Sequence, residues 1–184
     1  LSTEALEIKH LLTHTSGLVP HAYDNLVEAG VPFGEIMDSL FRVNISGPPG
    51  ELYGYQNVVF SIYDTIARKA TGEDFGKLLD EKVFKPFGLK DAGTGLKSFE
   101  SNPNKAYPHA GPSYGYRPLN LNTGYYNIAP AAGVNASISD MAAYIKAFTS
   151  DDENALPLEV IDSVFAPRIY TPLRSNYLRY WEGV

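Results

Sequence analysis

Tyr55 and Asn57 lie two residues apart where this chain's backbone is most constrained. A phenol gives or takes a proton, and a carboxamide presents two N–H donors beside an oxygen acceptor. Both follow the turn Gly47-Pro48-Pro49-Gly50, in which the prolines fix φ and Gly50 permits a sharp reversal. Both precede Val59, Ile62, Tyr63, Ile66, Ala67 and Ala70, whose spacing predicts an amphipathic helix over 57–70. Asn57 is then the expected N-cap, and Gly72 stands where a helix ends in the left-handed conformation. A rigid bend at a helix N-terminus is where polar groups can be held towards a substrate.

Other candidates carry less chemistry. His10 and His14 lie four apart on a helix predicted over 4–14, as paired zinc ligands would. The zinc-protease pattern needs Glu after the first histidine, and Leu11 stands there, so a structural role is the better reading and no metal is assigned. Ser16 beside His14 suggests a nucleophile, but the G-x-S-x-G elbow is absent and Thr15-Ser16-Gly17 is ordinary helix-ending chemistry. Asn44-Ile45-Ser46 and Asn135-Ala136-Ser137 match glycosylation sequons.

The elements that must position these groups are mostly helical. Phe33, Ile36, Met37, Leu40 and Phe41 predict a helix over 33–42, after a polar, irregular connection over 19–31. Phe75, Leu78, Leu79 and Val83 line a further helix stopped by Pro86. Ser137 and Asp140 form a capping-box-like pair ahead of Met141, Tyr144, Ile145 and Phe148. A last short helix is expected over 157–165 with Pro157 at its first position. Between them, residues 91–130 read as a long irregular loop rich in Gly, Pro and Tyr, including Tyr107, Tyr114, Tyr116, Tyr125 and Tyr126. Such tracts are lids, cleft walls or disordered segments, and aromatic content argues against simple disorder. It serves as a peptide or glycan platform or as a cleft wall, the second being preferred. No strand pattern and no repeat is evident, and the tail over 168–184 is basic and aromatic without clear period.

Composition excludes several functions. A chain of 184 residues allows one domain with a sizeable core. A net charge of −6 argues against nucleic acid as a partner. No apolar run approaches the roughly 20 residues needed to span a bilayer. With no cysteine, disulfide and thiolate chemistry are excluded.

Four blocks in order resemble the class C beta-lactamases, penicillin-binding proteins and their esterase relatives. Leu11-Leu12-Thr13-His14-Thr15-Ser16-Gly17-Leu18 resembles L-L-T-H-T-S-G-L, and Tyr55-Gln56-Asn57 after the Pro/Gly turn resembles the Y-S-N region. Val83-Phe84-Lys85-Pro86-Phe87-Gly88-Leu89 resembles I-F-x-P-L-G-M, and Ala132 to Ala142 resembles G-G-L-x-S-T-x-x-D-M-A. In that family an S-x-x-K helix supplies the nucleophilic serine and its lysine, the tyrosine shares acid/base work with the lysine, and the asparagine holds the substrate's acyl carbonyl. The resemblance thus implies that Tyr55 is catalytic and Asn57 substrate-binding, with no cofactor. It also implies that the two side chains share an exposed concave face, rimmed by the 91–130 tract.

The departures shape the expectation. Residues 1–184 hold no S-x-x-K and no K-T-G. The expected fold is therefore mainly α: one domain, the helical part of the larger α+β, multi-domain beta-lactamase/transpeptidase-like fold, with the flanking α/β part absent. Ala132 stands where class C beta-lactamases place a tyrosine, which argues against efficient beta-lactam hydrolysis and leaves esterase or D,D-peptidase activity open. The implied parent is a serine hydrolase forming an acyl-enzyme with a beta-lactam, a D-Ala-D-Ala peptide or an ester. It acts on a small-molecule or peptidoglycan-like substrate in a periplasmic or extracellular setting. The rival reading is a non-catalytic module that grips a peptide or glycan with the Tyr-rich tract.

Overall fold

The computed structural model describes residues 6–111, 115–149 and 156–171. In chain order its helices are α1 (Ile8–Leu12), α2 (Asp24–Glu28), α3 (Phe33–Ser39), α4 (Asn57–Thr71), α5 (Phe75–Leu79), α6 (Leu96–Ser101), α7 (Ala129–Ala132), α8 (Ile138–Thr149) and α9 (Leu158–Phe165). A 3-10 turn, Leu40–Arg42, prolongs α3, a π-helical turn, Asp80–Phe84, prolongs α5, and the 3-10 turn Gly124–Ile128 leads into α7. The strands β1 (Gly93–Thr94), β2 (His109–Ala110), β3 (Arg117–Pro118) and β4 (Val134–Asn135) are two residues each. β1 pairs antiparallel with β4, and β2 with β3. The chain is mainly helical, as expected. Among the described residues no helix is long and apolar enough to cross a membrane.

The longest periodic run becomes the longest helix. α4 ends where expected, with Gly72 at φ +79 accepting the left-handed cap that a Cβ would strain. Its buried face presents Val58, Val59, Ser61 and Ala67. Val58 joins Val27 of α2, Ile36 of α3 and Ile128 in a cluster almost wholly removed from water. Each such aliphatic side chain contributes about 1.5–3 kcal/mol on burial. That cluster lies one residue past Asn57, so the core itself anchors the end of α4 that carries the candidate site.

Several boundaries differ from the sequence reading, each for a local reason. The 19–31 connection contains α2, whose five residues are too few to show a period, and it buries Val27. The helix over 4–14 stops at Leu12 (residues 1–5 lie outside the described residues), because the Thr15 N–H reaches back to the His10 oxygen at 2.9 Å. His10 and His14 therefore do not share a helical face. Pro157 caps α9 rather than opening it. The 91–130 tract is not structureless: it holds β1 to β3, α6 and the 3-10 turn before α7. Tyr126 donates to Asn135 Oδ1 at 2.9 Å, and Asn135 Nδ2 donates to the Gly95 oxygen at 3.2 Å, tying this tract to β4. Asn135 is thereby a structural residue. Tyr114 and the end of the tail lie outside the described residues.

Asp140 forms the expected capping box and then exceeds it. Its backbone N–H donates to Ser137 Oγ at 3.1 Å, while Ser137 N–H donates to Asp140 Oδ2 at 3.2 Å. The same carboxylate takes the Lys90 N–H at 2.8 Å and the Asp91 N–H at 3.1 Å, from fifty residues upstream. Burial pushes this carboxyl up, but the N–H groups of Ser137, Lys90 and Asp91 outweigh it and leave the group below its ordinary 3.8. The folded pKa is the lower one, so the unfolded chain binds more protons between the two values. The stabilisation is fully present above the unfolded value and is lost as pH falls through the folded one. Asp140→Ala should cost about 2 kcal/mol at pH 7, because three part-buried N–H groups lose a charged acceptor. Urea midpoints at pH 7 and pH 3 check this: the gap between wild type and variant should shrink at the lower pH.

Candidate active site

The bend that carries Tyr55 is held by backbone hydrogen bonds to the chain around Thr13–Gly17. Ser46 N–H donates to the Gly17 oxygen at 2.7 Å, Gly50 N–H to the Thr15 oxygen at 2.8 Å, and Gly54 N–H to the His14 oxygen at 2.8 Å. Gly50 sits at φ +88, the reversal expected of the Pro/Gly turn. Gln56 N–H then donates to His14 Nδ1 at 3.2 Å, and His21 N–H to the Tyr55 oxygen at 2.8 Å. Positive φ among the described non-glycine residues is confined to His14, His21 and Tyr23, a conformation that typically costs about 1–3 kcal/mol. All three lie in the segment that abuts this bend.

Tyr55 is 38% exposed and Asn57 only 9%. The expected cap is not formed by Asn57: Gln56, in extended conformation, is the N-cap, and Asn57 is the first helical residue. The Asn57 side chain donates from Nδ2 to Asp24 Oδ2 at 3.0 Å. That bond orients the amide, because Asp24 can only accept from it, and it turns the Oδ1 acceptor the other way. His21 Nδ1 lies 2.9 Å from the same Asp24 oxygen. Asp24 Oδ1 and Gln56 Oε1 are buried and have no hydrogen-bond partner among the described residues. Gln56 is otherwise fully enclosed and donates from Nε2 to the Val19 oxygen.

The phenols around the site differ in their proton chemistry. Tyr125 donates to Glu28 Oε1 at 2.9 Å, and that bond, with burial and the nearby Glu28 charge, pushes its pKa up to about 12. It stays a phenol at any working pH and serves as a tie between the 91–130 tract and α2. Burial also pushes Tyr53 up, with the neighbouring Tyr55 adding to it. Tyr55 carries no such tie: its ring packs against His14 at 4.5 Å and His21 at 5.3 Å between centroids. Two further tyrosine-x-asparagine triplets, Tyr23–Asn25 and Tyr125–Asn127, are also present, but their tyrosines donate to the Ser39 oxygen and to Glu28. Only Tyr55–Asn57 opens a long helix.

The sequence reading assigns no role to His21, Asp24 or Glu28 and places Tyr125 only within the irregular tract. His21-x-x-Asp24 was the available signal, an i,i+3 pair inside a segment read as irregular. Ser16 is buried, with its hydroxyl accepting the Leu18 N–H at 3.4 Å, which suits a turn residue and not a nucleophile. His10 Nδ1 accepts the Glu7 N–H at 3.1 Å, so both histidines spend a ring nitrogen on backbone. The tract's tyrosines divide: Tyr125 and Tyr126 are bonded inward, while Tyr116 is 78% exposed.

Comparisons with known proteins bear on the family and the fold. The beta-lactamase family model matches residues 2–172. A D-aminopeptidase of Cereibacter sphaeroides is 35% identical over 114 residues, 59% of this chain and 21% of that protein. The unguisins hydrolase ungD' of Aspergillus campestris is 22% identical over 185 residues, 96% of this chain and 34% of that protein. The octameric penicillin-binding protein homologue from Pyrococcus abyssi has the same fold with a TM-score of 0.74 at 22% identity, over 91% of this chain and 40% of that one. The chain thus spans about a third or less of the curated relatives it matches. With a family model running through almost its whole length and the matching fold beneath it, this chain belongs to the beta-lactamase family.

Proposed function

We propose that residues 1–184 form the helical part of a serine hydrolase that works through an acyl-enzyme, with Tyr55 as proton relay and Asn57 as the carboxamide that meets the substrate. The observation that carries this reading is a contrast in what the phenols are bonded to. Tyr125 spends its hydroxyl on Glu28, while the part-exposed Tyr55 sits on a bend clamped from both sides, two residues from the amide that Asp24 orients. In this reading the serine and lysine of S-x-x-K come from chain outside these residues. The lysine would stand near Tyr55, and the outward-turned Asn57 Oδ1 and unpartnered Asp24 Oδ1 are acceptors suited to a cation there. Tyr55 relays the serine proton to the neutral amine of that lysine as the acyl carbonyl is attacked, and the same route returns it to the leaving group.

The substrate is an ester, a D-Ala-D-Ala peptide or a beta-lactam. Ala132, in place of a tyrosine, favours the first two, and the names of the relatives, a D-aminopeptidase among them, lean towards amide and peptide bonds. A periplasmic or extracellular location fits such substrates. No metal or organic cofactor enters this chemistry.

Residues 1–184 alone should neither be labelled by a fluorescent penicillin nor turn over an ester. Stoichiometric labelling mapped to a serine of this segment would overturn the assignment. In the full-length protein, Tyr55→Phe keeps the ring but removes the hydroxyl, and turnover should fall about 10²–10⁴-fold, the range typical of a lost acid/base group. Its melting temperature should change little, since the hydroxyl faces water. Because Asn57 is not the cap, Asn57→Ala is a clean partner test: alanine suits a helix, and only the bond to Asp24 is lost, at about 1 kcal/mol. A thermal melt and a steady-state assay with a chromogenic ester read both variants. Wild-type turnover in the two would mean that Tyr55 and Asn57 are scaffold.

A further inference from the structure

The backbone on both sides of Tyr55 ends on a single residue, His14. The Gly54 N–H is taken by the His14 carbonyl oxygen and the Gln56 N–H by the His14 Nδ1, at 2.8 and 3.2 Å. Between them the Tyr55 carbonyl receives the His21 N–H at 2.8 Å. The His14 ring lies 4.5 Å from the Tyr55 ring at a 42° tilt, and its other neighbours are Phe60, stacked at 5.3 Å, and Tyr53, edge-on at 6.0 Å. His14 reaches both peptide groups because its own backbone sits at φ +56, which aims the carbonyl and the ring at the same bend. Such a conformation is unfavourable for a histidine and persists only where the surroundings over-determine it.

We infer that His14 is the positioning residue of this site, clamping residues 54 and 56 and packing the Tyr55 ring so that its phenol is held where the acyl-transfer step needs it. The inference rests on the reading of Tyr55 as proton relay. Acceptance of an N–H at Nδ1 puts the proton of the neutral ring on Nε2. Burial, which pushes this imidazole below its ordinary 6.5, agrees with that state. The clamp thus supports the phenol without setting a second positive charge beside it. It acts through backbone and ring geometry, and His14 itself touches no reacting atom. A misplacement of about 1 Å from outside the chemistry can cost a site on the order of 10²-fold in rate.

The test uses the full-length protein with p-nitrophenyl acetate as substrate and three substitutions. His14→Phe keeps a ring but has no acceptor for the Gln56 N–H. His14→Ala lacks both. His14→Asn tolerates the left-handed backbone and offers an oxygen to the Gln56 N–H, so it is the variant designed to fold. Expected are a kcat loss of about 10-fold or more in the Phe and Ala forms with KM little changed, and partial recovery of kcat in His14→Asn. In a Tyr55→Phe background, His14→Asn should slow turnover no further, because its effect passes through the missing hydroxyl. Rate losses that multiply in the double variant, or wild-type kcat in every His14 variant whatever their melting points, would overturn the inference. Failure of His14→Asn to exceed the Phe and Ala forms would do so too. Wild-type turnover in Tyr55→Phe sinks this inference together with the proposed function. A slow Tyr55→Phe beside fully active His14→Phe and His14→Ala sinks this inference alone.

Discussion

The hydrogen bonds from residues 46–56 to the short stretch around His14–Gly17 are the constraint on which the rest of this structure depends. A Pro/Gly turn by itself is a tight bend with unsatisfied backbone groups. Here those groups find acceptors in one neighbouring segment, so the bend is held at several points along its length. It delivers Gln56 in extended conformation, and α4 starts at the next residue. Once the start of α4 is placed, Val58 meets Val27, Ile36 and Ile128, and the core closes behind the site. The strained histidines are tolerable because this closure over-determines them.

A second pairing organises the other half. Asp140 caps its own helix and takes the N–H groups of Lys90 and Asp91, which directly follow the Phe87-Gly88-Leu89 turn. The four sequence blocks that mark the family therefore act as two pairs. Leu11 to Leu18 supports the Tyr55 bend, and the Asp140 block supports the end of the α5 region. Each block looks like a motif because its partner, distant in sequence, demands particular donors and acceptors. The long tract over 91–130 is anchored late, by Tyr125 to Glu28 and Tyr126 to Asn135, and early, where the Gly95 oxygen takes the Asn135 amide.

These anchors divide labour among chemically identical side chains. A tyrosine bonded to a carboxylate holds its proton to about pH 12 and becomes structure. A tyrosine packed between imidazoles on a clamped bend keeps its hydroxyl for other partners. Asn57 shows the same principle. Its amide is turned by Asp24, so the carboxylate on α2 decides how the carboxamide is oriented.

The sequence by itself determined what local physics can determine. The period of Val59 to Ala70 specified α4, Gly72 specified its end, and Ser137 with Asp140 specified the start of α8. Those signals act within a few residues, where helical geometry and capping leave little choice. The order of the four blocks also carried the family and the mainly helical fold. What tertiary structure alone decided was shorter or farther apart. α2 is five residues long and the strands two each, below the length at which a period exists. The expected helix over 4–14 is cut at Leu12 because His14 is more strongly engaged by Gly54 and Gln56 than by its own helix. Asn57 is already helical and its amide is oriented by Asp24, thirty-three residues earlier, a charged acceptor that no local pattern announces.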